Sequence, residues 1–526
     1  MNTVLSLTRA ERTWQCTAEW LIAAGVTSVF ALPDDDMIAA RALEAAGIEV
    51  RWTLSQRTLV HMAAGVALAH GRPAVCLIGR GPAVAASVPA LLEAQHSHAP
   101  VLVLATGTAS SLEYRRAFQH VNALDLVRPV TVWSARVEEP EDLGAVLAEA
   151  WARTTDGAGG PVFVEISDDV LAAQNSAPCQ PMSMSEAGRL LQASQQPVVI
   201  LGGGMPAGAR MRLVAFAESL GAAVLSTASG RGVFPEAHPA YLGLSGLYMS
   251  SPVADLISQA DIVLTLGSAL EETAMWGMPK QATWLQINIS VSGINYSVPG
   301  GYVLGDATAE LPPIEPSPRL SWQGVINAVR SELGSYVESS RTAAALSELA
   351  SVVPDNTVVV HENGLHDMWT YHFPAWSVPA QGTDIAPSEM TTLGFGAAAA
   401  LGIAVAGENP VVAFVGDGAF ATILGELTQF FDDELHLLYV VFDDGGLGWL
   451  DHEATRTGAR SSFRWRSPLT LLQGSDALIE PNCEADDASA VHRAVARMRE
   501  GRVTVLRLPC STDDLPPFLT SNQGSA

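Results

Sequence analysis

Two acidic positions each close an apolar run. Val411-Val412-Ala413-Phe414-Val415 leads into Gly416-Asp417-Gly418, and Leu437-Leu438-Tyr439-Val440-Val441-Phe442 leads into Asp443-Asp444-Gly445-Gly446. Between them Leu424, Leu427, Phe430 and Phe431 fall at helical spacing. The pattern predicts strand, tight turn, helix, strand. Parallel strands joined in this way present their C-terminal ends at one edge, so Asp417 and Asp444 should meet there. Two carboxylates beside a helix N-terminus make a place for a divalent cation carrying a phosphate. Oxygen ligands suit Mg²⁺, and the free N–H groups after Gly418, beginning with that of Ala419, suit the anion. A lone Gly-Asp-Gly is also an ordinary βα turn; the second strand, ending where it does, separates the two readings.

The elements that must hold this edge follow from the rest of the chain. Its 526 residues are too many for one core and suggest three domains. Hydrophobic residues make up 48% and charged residues 16%, a globular balance, and no apolar run reaches the length of a membrane span. A net charge of −26 argues against a nucleic-acid or anionic-membrane partner. The five scattered cysteines, odd in number and without metal-ligand spacing, suggest reduced thiols in a cytoplasmic protein. Helical and strand patterns alternate throughout, which predicts an α/β fold of three doubly wound parallel-sheet domains over residues 1–173, 186–311 and 320–526. The stretch Gln174 to Ser185 reads as a linker, and Pro312-Pro313-Ile314-Glu315-Pro316-Ser317-Pro318 as a stiff one.

The run from Gly416 to Gly446 resembles the thiamine-diphosphate motif, Gly-Asp-Gly followed by a pair usually written Asn-Asn. The whole chain resembles the acetohydroxyacid synthase, pyruvate decarboxylase and benzoylformate decarboxylase group, whose domains run in the order pyrimidine-binding, central, diphosphate-binding. The resemblance implies thiamine diphosphate and Mg²⁺ as cofactors. Asp417, Asp444 (where the family has Asn) and the Gly446 carbonyl are the implied metal ligands, with Gly416, Gly418 and Ala419 at the diphosphate. His361-Glu362-Asn363-Gly364-Leu365-His366 resembles the loop that touches the diphosphate, through Gly364 and His366. In Met390-Thr391-Thr392-Leu393-Gly394-Phe395-Gly396, Thr391 is implied to offer its carbonyl to the aminopyrimidine N4′. Leu393 is implied to wedge between the two rings of the cofactor. On pattern alone Leu393 is a core leucine.

One implied catalytic position departs from the family. A glutamate normally stands five residues before the pattern His-Met-Ala-x-Gly, here His61 to Gly65, and this chain has Gln56 there. Glutamine keeps a hydrogen bond to N1′ but cannot exchange a proton at neutral pH. Gln119, in Ala117-Phe118-Gln119-His120-Val121, matches a synthase segment and is implied to reach cofactor or substrate; a surface-loop role is equally open. His120, His366 and Glu362 are candidate helpers for proton transfer. Gly202-Gly203-Gly204 after an apolar run tempts a dinucleotide reading. The resemblance gives instead a central Rossmann-like domain, which binds FAD in some relatives and nothing in others. The activity implied is C–C bond cleavage or formation on a 2-oxo acid, leaning to carboligation, with decarboxylation open. A cofactor-binding relative without turnover is the alternative raised by Gln56 and Asp444. Sites shared between subunits imply a homodimer or homotetramer.

Overall fold

The computed structural model describes residues 9–516 apart from 34–36, 110–116, 139–141, 158, 168–179, 280, 291–292, 296–297, 318, 334–339, 408, 458–463, 480–486 and 512–514. The chain divides into two compact units. One holds residues 1–175 with 450–462, and the other holds 176–449 with 463–526.

The first unit carries one sheet: β1 (Ser28–Ala31), β2 (Glu49–Trp52), β3 (Ala74–Ile78), β4 (Val101–Gly107), β5 (Trp133–Val137) and β6 (Val162–Ser167). Its order is β2-β1-β3-β4-β6-β5, with every pairing parallel. β3, β4 and β6 are buried along their whole length; β3 and most of β4 read as apolar runs, while β6 includes the buried Glu165.

The second unit carries two sheets. β7 (Gln180–Pro181), β8 (Pro197–Leu201), β9 (Ala223–Ser226), β10 (Tyr241–Leu244), β11 (Ile262–Leu266), β12 (Thr283–Asn288) and β13 (Gly300–Leu304) pair in the order β10-β9-β8-β11-β12-β13-β7. β14 (Val358–His361), β15 (Thr383–Ile385), β16 (Val411–Gly416), β17 (Leu437–Asp443), β18 (Leu478–Ile479) and β19 (Thr504–Pro509) pair in the order β15-β14-β16-β17-β19-β18. All the named strand pairs here are parallel too. The predicted α/β class with three doubly wound parallel sheets is therefore what the chain adopts.

Three boundaries differ from the sequence reading. The first linker lies outside the described residues up to 179, but its end is structured. Gln180–Pro181 adds an edge strand, and Ser183 caps the helix Met184–Ala193 through a capping box with Glu186. The helix Leu320–Leu333, assigned to the last domain from sequence, buries Trp322, Ile326 and Leu333 in the central core instead. The segment after Gly418 is not one helix. It breaks into Asp417–Ala421 and Leu424–Leu427. The Thr422 hydroxyl donates to the Ala419 carbonyl at 2.7 Å, and the β-branched pair Thr422-Ile423 with Gly425 disfavours continuation.

The two sheets of the second unit are joined by a buried cation. Arg231, 3% exposed, donates Nε to Glu236 at 2.9 Å and its other nitrogens to the carbonyls of Thr370 (2.5 Å) and Trp376 (2.6 Å). Glu236 in turn accepts the Val378 N–H at 3.1 Å. Charge, hydrogen bonds and burial are all matched, the condition under which a buried ion pair holds its place.

Candidate functional site

In the register of β16 with β17, Gly416 faces Phe442, so the residues that follow, Asp417 and Asp443-Asp444, emerge at one edge as predicted. Asp417 is 1% exposed and opens the short helix Asp417–Ala421. Burial pushes its carboxyl up to about 7, and the Asp444 and Asp443 carboxylates push the same way. The larger of two opposing influences, beside the Gly418 N–H, is a residue that no spacing rule singled out. Trp465 donates its indole N–H to Asp417 Oδ2 at 2.8 Å. Its ring also covers Gly418, where a Cβ would come within 2.9 Å of a ring carbon. Trp465 is brought there by a two-residue antiparallel contact: Arg464 bridges Gly446, and the Trp465 N–H donates to the Gly445 carbonyl at 2.9 Å.

Asp444 is half-buried, and its Oδ1 accepts the Gly446 N–H at 2.9 Å. A Cβ at Gly448 would fall 1.9 Å from Asp444 Oδ2, so a side chain there would require this carboxylate to move. Asp443, by contrast, is neutralised by Arg507, which donates Nε at 2.6 Å. Among the described residues no group of three or more His, Cys, Asp and Glu is arranged to hold a metal. A cation at this edge would take Asp417, Asp444 and the Gly446 carbonyl, with the remaining positions left to phosphate and water. The residues fit that group: two carboxylates converge with a surplus of negative charge at a buried position, as oxygen-ligated Mg²⁺ requires.

The two flanking segments are fixed to one another. Glu362 is fully buried and accepts the N–H groups of Gly396 (2.8 Å), Ala397 (3.4 Å) and Asn363 (3.3 Å). It thereby caps the helix Phe395–Ala406 from the other loop. Burial pushes this carboxyl up to about 7 against those donors. Its enclosure and its three N–H donors make it a clamp between the two segments. His366 is also buried, stacked on Phe442 at 5.2 Å, and burial with His361 nearby pushes it down to about 3. Burial thus favours the neutral imidazole, which can accept a proton but does not carry one to give. Its ring lies beside Gly364 and Gly416, so these three of the residues implied for the cofactor stand together. His361 is held by Asp384 (2.9 Å) and Thr370 (3.1 Å), a structural histidine.

Leu393 is 48% exposed and Phe395 is 42% exposed, so Leu393 is not the core leucine its pattern allows. Thr391 has φ 45°, a strained conformation for a β-branched residue, while its N–H donates to the Ser388 carbonyl at 3.0 Å. Gly394 has φ 92°, and a Cβ there would lie 2.5 Å from the Thr422 hydroxyl.

In the first unit, Gln56 is the first residue of the helix Gln56–His70, just past β2, and is half-buried. Gln119 has φ 55°, and its carbonyl lies where a Cβ on Gly81 would stand, 1.9 Å away. Gly81 precedes the helix Pro82–His96, which follows β3. Both glutamines therefore lie at the C-terminal edge of the first sheet, and His120 follows Gln119 in the same segment.

In the central sheet, the gap between β8 and β11 is the topological switch point where a dinucleotide would sit. There Gly202 donates its N–H to the Leu266 carbonyl and Gly204 to the Gly267 carbonyl, both at 2.9 Å. A Cβ at Gly202 would meet the Gly267 carbonyl at 2.3 Å. The glycines serve close backbone contact, and those two donors are already engaged, which disfavours the dinucleotide reading of this run.

Comparison with known proteins places all three sheets in one family. The N-terminal TPP binding domain, central domain and C-terminal TPP binding domain of the thiamine pyrophosphate enzymes match residues 12–126, 184–312 and 362–506. The chain is 26% identical over 415 residues to the acetolactate synthase isozyme 1 large subunit of Escherichia coli, covering 74% of this chain and 73% of that one. It is 25% identical over 470 residues to a probable acetolactate synthase large subunit of Methanocaldococcus jannaschii, covering 81% and 79%. A crystal structure of benzoylformate decarboxylase from Polynucleobacter necessarius aligns over 97% of this chain and 100% of that one, with a TM-score of 0.49 and 20% identity.

Proposed function

The chain belongs to the thiamine pyrophosphate enzyme family, and from that premise we propose that it uses thiamine diphosphate and Mg²⁺ for C–C bond chemistry on a 2-oxo acid, in the direction of carboligation. The observation that carries the reading is the edge of β16 and β17, where the buried Asp417 carboxylate and Asp444 converge. When bound, thiamine diphosphate supplies a nucleophilic carbon that takes up the acyl group of a 2-oxo acid. The chain's own residues bind and orient it. Asp417, Asp444 and the Gly446 carbonyl hold the cation, and Gly364, His366 and the backbone at Gly416, Gly418 and Ala419 receive the diphosphate. Thr391 presents its carbonyl, and the exposed Leu393 supports the bent shape. Gln56 offers a hydrogen bond to the aminopyrimidine, and Gln119 reaches the substrate side.

The lean to carboligation rests on the acetolactate synthase relatives. A homo-oligomer is supported by exposed apolar residues on the elements that carry the site. Leu54, Met62 and Val66 lie on or beside the helix of Gln56, and Phe395 and Val405 lie on the helix after Leu393. Among the described residues no helix is long and apolar enough to cross a membrane. A second reading, a cofactor-binding chain without turnover, is favoured by Gln56 and by the aspartate at 444. The test is a mass-spectrometric screen of 2-oxo acids with purified protein, thiamine diphosphate and Mg²⁺, run beside calorimetry of cofactor binding. A new acyloin or acetohydroxyacid supports the main reading. Bound cofactor without product supports the second. Absence of cofactor binding overturns both.

A further inference from the structure

A second cavity, of about 200 Å³, lies in the unit of the two C-terminal sheets, at the C-terminal edge of the central sheet. Ser229 after β9, Ser245 and Tyr248 after β10, Glu271 and Thr273 after β11, and Glu389 after β15 contribute to its wall. None of its lining residues is Lys, Arg or His. Ser245 is 2% exposed, and its hydroxyl has no hydrogen-bond partner among the described residues. Glu389 accepts the Thr273 hydroxyl on one carboxylate oxygen, while the other oxygen is buried and has no partner among the described residues. Burial pushes Glu389 up to about 7, with Glu271 and Glu272 adding to the shift. Burial likewise holds the Tyr248 hydroxyl well above its usual range, near Asp367, Tyr371 and Glu389, so it remains a donor.

The chemistry of this wall selects its occupant. An anion, whether phosphate or carboxylate, meets two glutamates and no cation. A bare metal ion finds too few ligands, since no described group of three His, Cys, Asp or Glu is arranged to hold one, and the space is large for it. The cavity is smaller than the roughly 300–1,000 Å³ of a drug-sized site. A small molecule with one positive charge and one hydroxyl satisfies both orphaned atoms at once. We propose that this cavity binds a small organic ammonium of the 2-amino alcohol class, its ammonium on Glu389 and Glu271 and its hydroxyl on Ser245. Glu389 stands two residues before the strained Thr391, and Ser388 holds the Thr391 N–H, so an occupant here acts on the loop that carries Leu393. Binding itself does not depend on the C–C chemistry proposed above.

The test is calorimetry on the full chain in amine-free buffer, with ethanolamine as the probe. Ethylene glycol serves as its uncharged counterpart, and acetate and ADP as anions. Saturable one-to-one binding of ethanolamine alone is expected. Glu389→Gln should weaken it about 10–100-fold, the loss of one charge-assisted hydrogen bond. Ser245→Ala should weaken it about 3–10-fold, and this smaller change guards against a folding defect in the first variant. Equal binding of ethylene glycol, binding of ADP at this site, unchanged affinity in both variants, or no saturation up to about 20 mM would each overturn the proposal. Thiamine diphosphate titrated into the same samples reports on the other site separately.

Discussion

Replacing Trp465 by Phe removes one hydrogen bond and keeps the aromatic cover over Gly418. The lost bond is the 2.8 Å indole N–H to Asp417 Oδ2. A hydrogen bond to a buried carboxylate contributes about 1.5–3 kcal/mol, which corresponds to roughly 10–150-fold in an equilibrium constant. Partners of metal-ligating groups contribute a similar amount, about 10–100-fold in metal affinity. The expected result is therefore a Mg²⁺ affinity, in the presence of thiamine diphosphate, about 10–100-fold weaker in Trp465→Phe. The pH dependence has a definite sign. Asp417 must lose its proton to bind a cation, and its carboxyl sits near 7 before the cation arrives. Affinity should fall as pH drops through about 7 in the wild type. Because the indole N–H holds that value down, the fall should begin at higher pH in the variant. Calorimetric Mg²⁺ titrations at several pH values measure both effects. Unchanged affinity would refute the supporting role, and raised affinity would mean that the ring obstructs the site.

Three further outcomes are expected. Asp444→Asn should retain Mg²⁺-dependent cofactor binding by calorimetry, since an amide oxygen can still accept the Gly446 N–H; complete loss would give the carboxylate a role not identified above. Gln56→Glu should speed C2-H/D exchange of bound thiamine diphosphate about 10²–10⁴-fold, the usual range for general acid–base assistance, as followed by proton NMR after acid quench. An equal rate with cofactor bound in both proteins would remove Gln56 from that position. Arg231→Met should destabilise the chain by about 3–5 kcal/mol in urea unfolding, because Glu236 is left buried without its cation; a change below about 1 kcal/mol would show that the join between the two sheets does not depend on this residue.

What the sequence makes legible follows burial. β3, β16 and β17 are buried throughout and read as unbroken apolar runs, so the edge carrying Asp417 and Asp444 could be placed in advance. The edge strands β5, β15 and β18 are short or partly exposed, and nothing in their composition separates them from loops. Leu393 illustrates the opposite limit: a leucine in an apolar stretch looks like core, and only the backbone turn at Gly394 directs it outward. Glu362 and Trp465 were not legible in these roles because each acts across a long separation in sequence, on Gly396 and on Asp417. No local pattern encodes such a pairing. The glycine run at Gly202 misleads for a related reason, since glycine permits close approach to a phosphate and to a backbone carbonyl alike.

The Glu362 clamp separates two kinds of damage. It ties the segment bearing Leu393 to the loop of Gly364 through backbone N–H groups that lie outside the metal edge. Substitution at Asp417 or Asp444 is therefore expected to leave the backbone that carries Leu393 in place, so the shape proposed for the cleft and the proposed cation site can change independently. Loss of the one carboxylate at residue 362 would release both segments together, so the tolerance of the site for change is set less by the proposed cation ligands than by the carboxylate that holds the backbone beside them.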